Sequence, residues 1–281
     1  MTRFGIGTIL LVTSVLGWGQ TQVVEPARDS GSSVTGAFEG WFKNPDGTFS
    51  LLLGYYNRNR DQVLDIPVGP NNRIEPGGPD RGQPTHFLPG RGWGLFSVTV
   101  PADFGDNKLT WTIVANGQTT VIPAGLKPDY EISPLREAAV GNTPPVLSFE
   151  ESGPTVQGPQ GITAERTAKA GSPLALTVWV SDDDKFTSSS GAKPDIGDTA
   201  VTLKWTLYRG PGSVTFSSDR PKVEKLAPKS GFAFSGKSTV MASFSQPGDY
   251  ILHVTANDSS GEGGRGFQCC WTNGQVKVTV R

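Results

Sequence analysis

Apolar and polar residues alternate with a period of two through most of this chain. In Tyr250-Ile251-Leu252-His253-Val254-Thr255-Ala256, one face carries Tyr250, Leu252, Val254 and Ala256 and the other carries Ile251, His253 and Thr255. Successive side chains on a strand point to opposite faces, so this run reads as a half-buried strand with His253 facing outward. Leu174, Leu176, Val178 and Val180 share one face of another run, Val201, Leu203, Trp205 and Leu207 of a third, and Val276, Val278 and Val280 of the last. In the first half, residues 48–56 and 63–68 are strand-like apolar runs, 95–100 and 109–114 restore the alternation, and 119–122 returns. Asn116-Gly117 between the last two predicts a hairpin, because both residues accept the positive φ angles of a type I′ turn. No segment sustains a helical period. The pattern predicts an all-β protein, with strand and turn spacing that suits sandwiches.

The runs fall into two groups. Asn142-Thr143-Pro144-Pro145-Val146 separates them, since a double proline holds the backbone extended and cannot sit in a central strand. The predicted organisation is a signal peptide over 1–19, a polar Gly/Ser-rich leader over 20–36, a sandwich over 37–130, a linker over 131–144 and a second sandwich over 145–281. Residues 69–92 are dense in Pro, Gly, Asn and Arg and read as irregular, and 69–94 as the favoured contact surface.

Composition narrows the partners. Lys+Arg number 25 against Asp+Glu 26, with no basic block, so nucleic acid is excluded as an expected partner. Arg3 followed by an apolar run to Leu16 and the small residues around Trp18 reads as an export signal, too short to span a bilayer comfortably. The expected location is secreted, periplasmic or cell-surface, without membrane insertion once the signal is removed; retention as an anchor is the alternative. The only cysteines, Cys269 and Cys270, are adjacent. A vicinal disulfide, two free thiols and bonds to another chain all remain open at this point.

Trp205 to Phe216, Phe244-Ser245-Gln246-Pro247-Gly248-Asp249-Tyr250 and Thr255-Ala256-Asn257-Asp258 together resemble PKD-like domains, immunoglobulin-like modules of extracellular proteins. Tyr250, just after the Pro-Gly-Asp turn, is similar to a tyrosine corner. The resemblance covers 142–281 and implies adhesion, spacing or carbohydrate-associated work. It departs from the family in the insert from Asp184 to Thr199 and in the segment from Gly261 to Asn273. The first sandwich is immunoglobulin- or fibronectin-like by pattern alone.

Three groups of residues are candidates for chemistry. Asp182, Asp183, Asp184, Asp198 and Asp258 offer the hard oxygen ligands that calcium takes, although no EF-hand spacing is present and Asp-rich turns also arise as strand ends. Tyr55, Tyr56, Arg58 and Trp93 offer aromatic and polar groups to a sugar or peptide. Glu39, Asp65, Glu75 and Asp80 are the carboxylates a hydrolase would need. No nucleophile elbow, metalloprotease motif or phosphate loop appears. The expectation is an exported, non-catalytic binding, adhesion or spacer protein of a bacterial surface or periplasm, requiring no cofactor beyond calcium and meeting an extracellular protein or polysaccharide. The alternatives are a carbohydrate-binding accessory protein and, further off, a secreted glycoside hydrolase.

Overall fold

The computed structural model describes residues 28–138, 140–185, 199–258 and 269–281; the signal segment and Asp198 lie outside the described residues. Among the described residues the architecture is all-β, with one short 3-10 turn at Pro128–Tyr130. Among the described residues no helix is long and apolar enough to cross a membrane.

The first sandwich comprises β1 (Val34–Lys43), β2 (Phe49–Asn57), β3 (Leu64–Asp65), β4 (Asn72–Glu75), β5 (His86–Phe87), β6 (Gly90–Val100), β7 (Leu109–Ala115) and β8 (Gln118–Ala124). Sheets β1-β2-β6 and β4-β7-β8 face one another across a core that includes Leu51, Leu53, Phe96, Val98, Trp111 and Ile113, and β3 pairs with β5 as a small ribbon. Asn116 and Gly117 both adopt positive φ in the β7–β8 hairpin, as the sequence predicts. Two expectations fail here. Val34, expected in the leader, is fully buried at the start of β1. Residues 69–92 are not irregular throughout, since they hold β4, β5 and the start of β6. The prolines and glycines there separate short strands rather than dissolve them.

The second sandwich comprises β9 (Val146–Ser148), β10 (Val156–Gln157), β11 (Ile162–Ala168), β12 (Leu174–Asp182), β13 (Thr202–Arg209), β14 (Val214–Phe216), β15 (Glu224–Leu226), β16 (Phe234–Phe244), β17 (Gly248–Asn257) and β18 (Trp271–Val280). One sheet runs β10-β9-β12-β16-β14, with β15 also on β16, and the other β11-β18-β17-β13. Only β11 runs parallel to its neighbour β18; every other named pairing is antiparallel. This is the immunoglobulin-type arrangement, with the opening segment giving β9 and β10 to one sheet and β11 to the other.

The apolar faces read from the sequence form its core. Leu176, Val178, Val180, Leu203, Trp205, Tyr250, Leu252, Val254, Val276 and Val278 are all buried there. Tyr250 donates its hydroxyl to the Gln246 carbonyl at 2.8 Å, so the tyrosine corner is formed. Val146 opens β9 directly after the double proline. The preceding linker is not free: Ile132 N–H donates to the Trp41 carbonyl at 2.9 Å, and Asn142 is fully buried.

Candidate functional site

The β11-β18-β17-β13 sheet turns a polar face away from its own core, and that face meets the first sandwich. The register aligns Thr206 with His253 and Lys204 with Thr255, and then Thr255 with Asn273 and Asn257 with Trp271. A strip of the first sandwich covers this row. Tyr208 donates to the Gly82 carbonyl at 2.6 Å, and Arg209 places both terminal nitrogens 2.8 Å from the two Asp80 oxygens while its Nε reaches the Gln83 carbonyl at 2.8 Å. Trp271 and Asn273 both donate to the Gly94 carbonyl, at 3.3 and 2.7 Å. At the far end Gln160 donates to Asn44 and Ser50 at 2.7 and 2.8 Å. The two sandwiches are therefore joined along a seam of hydrogen bonds.

Local sequence explains the fit. A bulge between Leu207 and Arg209 on β13 lets Tyr208 and Arg209 both reach across. Gly94, at φ +45, lies so close to the Trp271 ring that any Cβ would overlap it.

His253 corrects one reading in part. It does lie on the outward face of β17, as alternation predicts, yet it is only 1% exposed. The first sandwich covers it, and its ring stacks on Tyr208 with centroids 5.6 Å apart. Burial pushes its pKa down to about 4, against the opposing pull of the Leu95 backbone and Asn273. It is therefore neutral at ordinary pH.

The aromatic candidates divide. Tyr55 is buried, and its hydroxyl accepts the Leu88 N–H at 2.9 Å, so it is a wall and not an exposed platform. Burial pushes its phenol up to about 12. Tyr56 is 43% exposed on the opposite side of β2, with the Arg58 guanidinium 5.7 Å from its ring centre. Trp93 is 39% exposed and lies within β6 rather than a loop. Arg91 stacks over it at 4.3 Å and donates to the buried Glu39 at 2.6 Å, whose other oxygen accepts the Gly94 N–H at 2.8 Å. Burial raises the Glu39 carboxyl to about 7 although Arg91 and the Gly94 N–H both favour the ionised form.

The acidic candidates gather at the end where β12 and β17 finish. Asn142 donates to Asp258 at 2.6 Å, Thr143 to Asp183 at 3.1 Å, and the Asp184 N–H to Asp182 at 2.8 Å. Asp182 Oδ2 and Asn142 Oδ1 are buried and have no hydrogen-bond partner among the described residues. Burial drives the Asp182 carboxyl up to about 8, and the charges of Asp258, Asp183 and Asp184 push the same way. Both oxygens are of the hard kind that calcium takes. Among the described residues, however, no three His, Cys, Asp or Glu side chains converge as metal ligands, so Asn142 and backbone oxygens would have to complete the shell.

Cys269 and Cys270 are bonded to each other, and the Asn142 carbonyl lies 3.5 Å from the Cys270 sulfur. The four carboxylates considered for hydrolysis each face a base: Glu39 meets Arg91, Asp65 meets His86 at 2.7 Å, Glu75 meets Arg73 at 2.9 Å and Asp80 meets Arg209.

No protein-family model matches the chain, and no curated protein matches it. Solved structures similar to it include domains 4 and 5 of the S-layer protein SbsC, at 13% identity and TM-score 0.23, covering 89% of this chain and 98% of that one. The D00-D0 domain of intimin is 14% identical at TM-score 0.24, over 88% of this chain and 100% of that one. Cadherin-like domains 1 to 4 of zebrafish RET are 12% identical at TM-score 0.27, over 79% of this chain and 46% of that one. At such scores the likeness adds nothing to what this protein's own sheets establish: two β-sandwiches, the second of immunoglobulin type.

Proposed function

We propose that this chain is an exported, non-catalytic module of a bacterial surface or periplasm, with a second sandwich of the PKD-like kind, that presents a rigid two-domain body to an extracellular protein or polysaccharide. The seam carries this reading. Tandem modules joined by a free linker swing, whereas Tyr208, Arg209, Trp271 and Asn273 fix these two in one orientation. Rigidity of that kind serves spacing and recognition, since a preformed surface loses little freedom on binding. The contact surface is narrower than 69–94, because the seam already occupies part of that strip. Calcium at Asn142, Asp182 and Asp258 is proposed as a structural addition that would tie the linker to the strand ends.

The test is protease accessibility on intact producing cells, with the cytoplasmic fraction as control. Cleavage of the chain without lysis is expected. Its recovery in the cytoplasm, protected until lysis, would retire the proposal.

A further inference from the structure

The chain holds two Asn-Gly pairs, Asn116-Gly117 and Asn273-Gly274, and the fold places them in opposite surroundings. In such a pair the side-chain amide is open to attack by the next backbone nitrogen, because glycine has no Cβ to block the approach.

Asn116 and Gly117 form the exposed tip of the β7–β8 hairpin, at φ +48 and +74. The Gly117 N–H has no hydrogen-bond acceptor among the described residues, and a Cβ added there would meet nothing within 4 Å. The attacking nitrogen is therefore neither held nor screened. Asn273-Gly274 lies inside β18, where Gly274 is aligned with Val254 on one side and Ile162 on the other. Asn273 is buried, and its amide donates to the Gly94 and Pro159 carbonyls at 2.7 and 3.0 Å. A strand locked between two neighbours cannot curl a side chain onto its own backbone.

Asn116 also has a structural task. Its Nδ2 donates to the Ser32 carbonyl at 2.8 Å and lies 3.4 Å from Gln62 Oε1. Gln62 Oε1 accepts the Gly31 N–H at 2.8 Å. Asn59 accepts the Ser32 N–H at 2.7 Å and donates back to the Ser32 carbonyl at 2.8 Å. Three amides thus clip residues 31 and 32 to the first sandwich, just ahead of β1. Were Nδ2 replaced by oxygen, a carboxylate would face two acceptors, Ser32 O and Gln62 Oε1, with no hydrogen to share.

We infer that Asn116 is a site of spontaneous deamidation, and that its conversion loosens the segment ahead of β1. The Gly117 nitrogen bonds to Asn116 Cγ, and the amide group leaves as ammonia with the proton that the Gly117 nitrogen gives up. Water then opens the cyclic imide at either carbonyl. One opening yields Asp; the other yields isoaspartate, with the backbone rerouted through the side chain. Water is the only co-reactant. The isomer also adds a backbone carbon to a two-residue turn whose closing pair is Ala115 and Gln118. Neither the partner nor the export proposed above enters into this chemistry.

The experiment ages the purified full chain and follows each Asn by peptide mass mapping, with isoaspartyl methyltransferase labelling to mark the isomer. A gain of about one mass unit is expected at residue 116, faster at about pH 9 than at about pH 6 because the attacking nitrogen must lose its proton. It should outpace any gain at Asn273 by about a hundredfold or more, since a fully paired strand residue reacts only in opened molecules. Asn116→Gln keeps an amide but needs a larger ring, so the gain at this position should vanish. Hydrogen exchange at Gly31 and Ser32 should run about threefold faster in the aged protein and in Asn116→Asp than in fresh wild-type, the effect of one exposed hydrogen bond. Equal rates at Asn116 and Asn273, or a gain that persists in Asn116→Gln, overturns the inference. Unchanged exchange at Gly31 and Ser32 in both the aged protein and Asn116→Asp overturns it as well. Protease accessibility on intact cells is untouched by any of these outcomes, so the two proposals fail separately.

Discussion

Tyr208 on β13 donates its hydroxyl to the Gly82 carbonyl of the other sandwich at 2.6 Å, and the next residue, Arg209, grips Asp80 beside it. The Asp80 carboxyl is held below its usual range, chiefly by that hydrogen bond. Adjacent residues on one strand thus tie two domains together. Tyr208→Phe should cost about 1 kcal/mol, the net worth of one buried hydrogen bond. Arg209→Ala should cost about as much, since Asp80 is half exposed and water screens the pair. Calorimetry of the wild-type should give one cooperative transition and the double variant two. An unchanged single transition would mean that these residues do not couple the domains.

Tyr250 stabilises the second sandwich from within its own core. Tyr250→Phe removes only the hydroxyl that reaches Gln246, so a loss of about 1 kcal/mol is expected in urea unfolding. Trp205→Ala, which empties the core centre, should cost about 3–5 kcal/mol.

His253 makes the seam sensitive to acid. The unfolded chain takes up a proton near the usual 6.5, whereas the folded protein keeps the ring neutral down to about 4. The stability that neutral His253 contributes is therefore complete above pH 6.5 and falls away as pH drops toward 4, by on the order of 3 kcal/mol. Glu39 and Asp182 act in the opposite sense, being harder to ionise in the folded state and losing stability as pH rises through about 7 and 8. Subtracting the pH profile of His253→Gln from that of the wild-type isolates the imidazole. A flat difference between pH 6.5 and 4 would show that the ring is not buried as described.

Calcium bound at the proposed site would give the converse dependence. A cation at Asp182 must displace the proton that burial and neighbouring carboxylates hold there up to about pH 8. Millimolar calcium should therefore raise the melting temperature more at pH 8 than at pH 6, with EDTA reversing it and Asp182→Asn abolishing it. No rise at either pH would leave the Asp cluster as a strand-end feature only.

Gly94→Ala tests the closeness of the seam. Positive φ and overlap with the Trp271 ring act together, so a loss above about 2 kcal/mol is expected in thermal unfolding. Stability within about 0.5 kcal/mol of wild-type would mean that the two sandwiches can part at this point without loss.

Much of the second sandwich was legible because its core-facing residues follow strict alternation and Tyr250 follows a Pro-Gly-Asp turn. The faces of β12, β13, β17 and β18 all came out as expected. What alternation cannot reveal is whether an outward face meets water or another domain. His253 and Asn273 look like ordinary polar outward residues, and only the company of Tyr208 and Trp271 on that same face hinted at a covered surface. Tyr55 illustrates the reverse error. Two adjacent tyrosines suggest a display, but neighbours on a strand face opposite ways, and one of them had to point inward. The bulge at Tyr208, which makes the seam, leaves no mark in the periodicity.

The parallel pairing of β11 with β18 has a mechanical meaning. Residues from Ile162↔Gly274 to Ala168↔Val280 are matched along a common direction. Tension applied between Ile162 and Arg281 therefore slides the two strands past each other and strains their backbone bonds together instead of unzipping them singly. Under a pull along that line, this is the geometry that yields last.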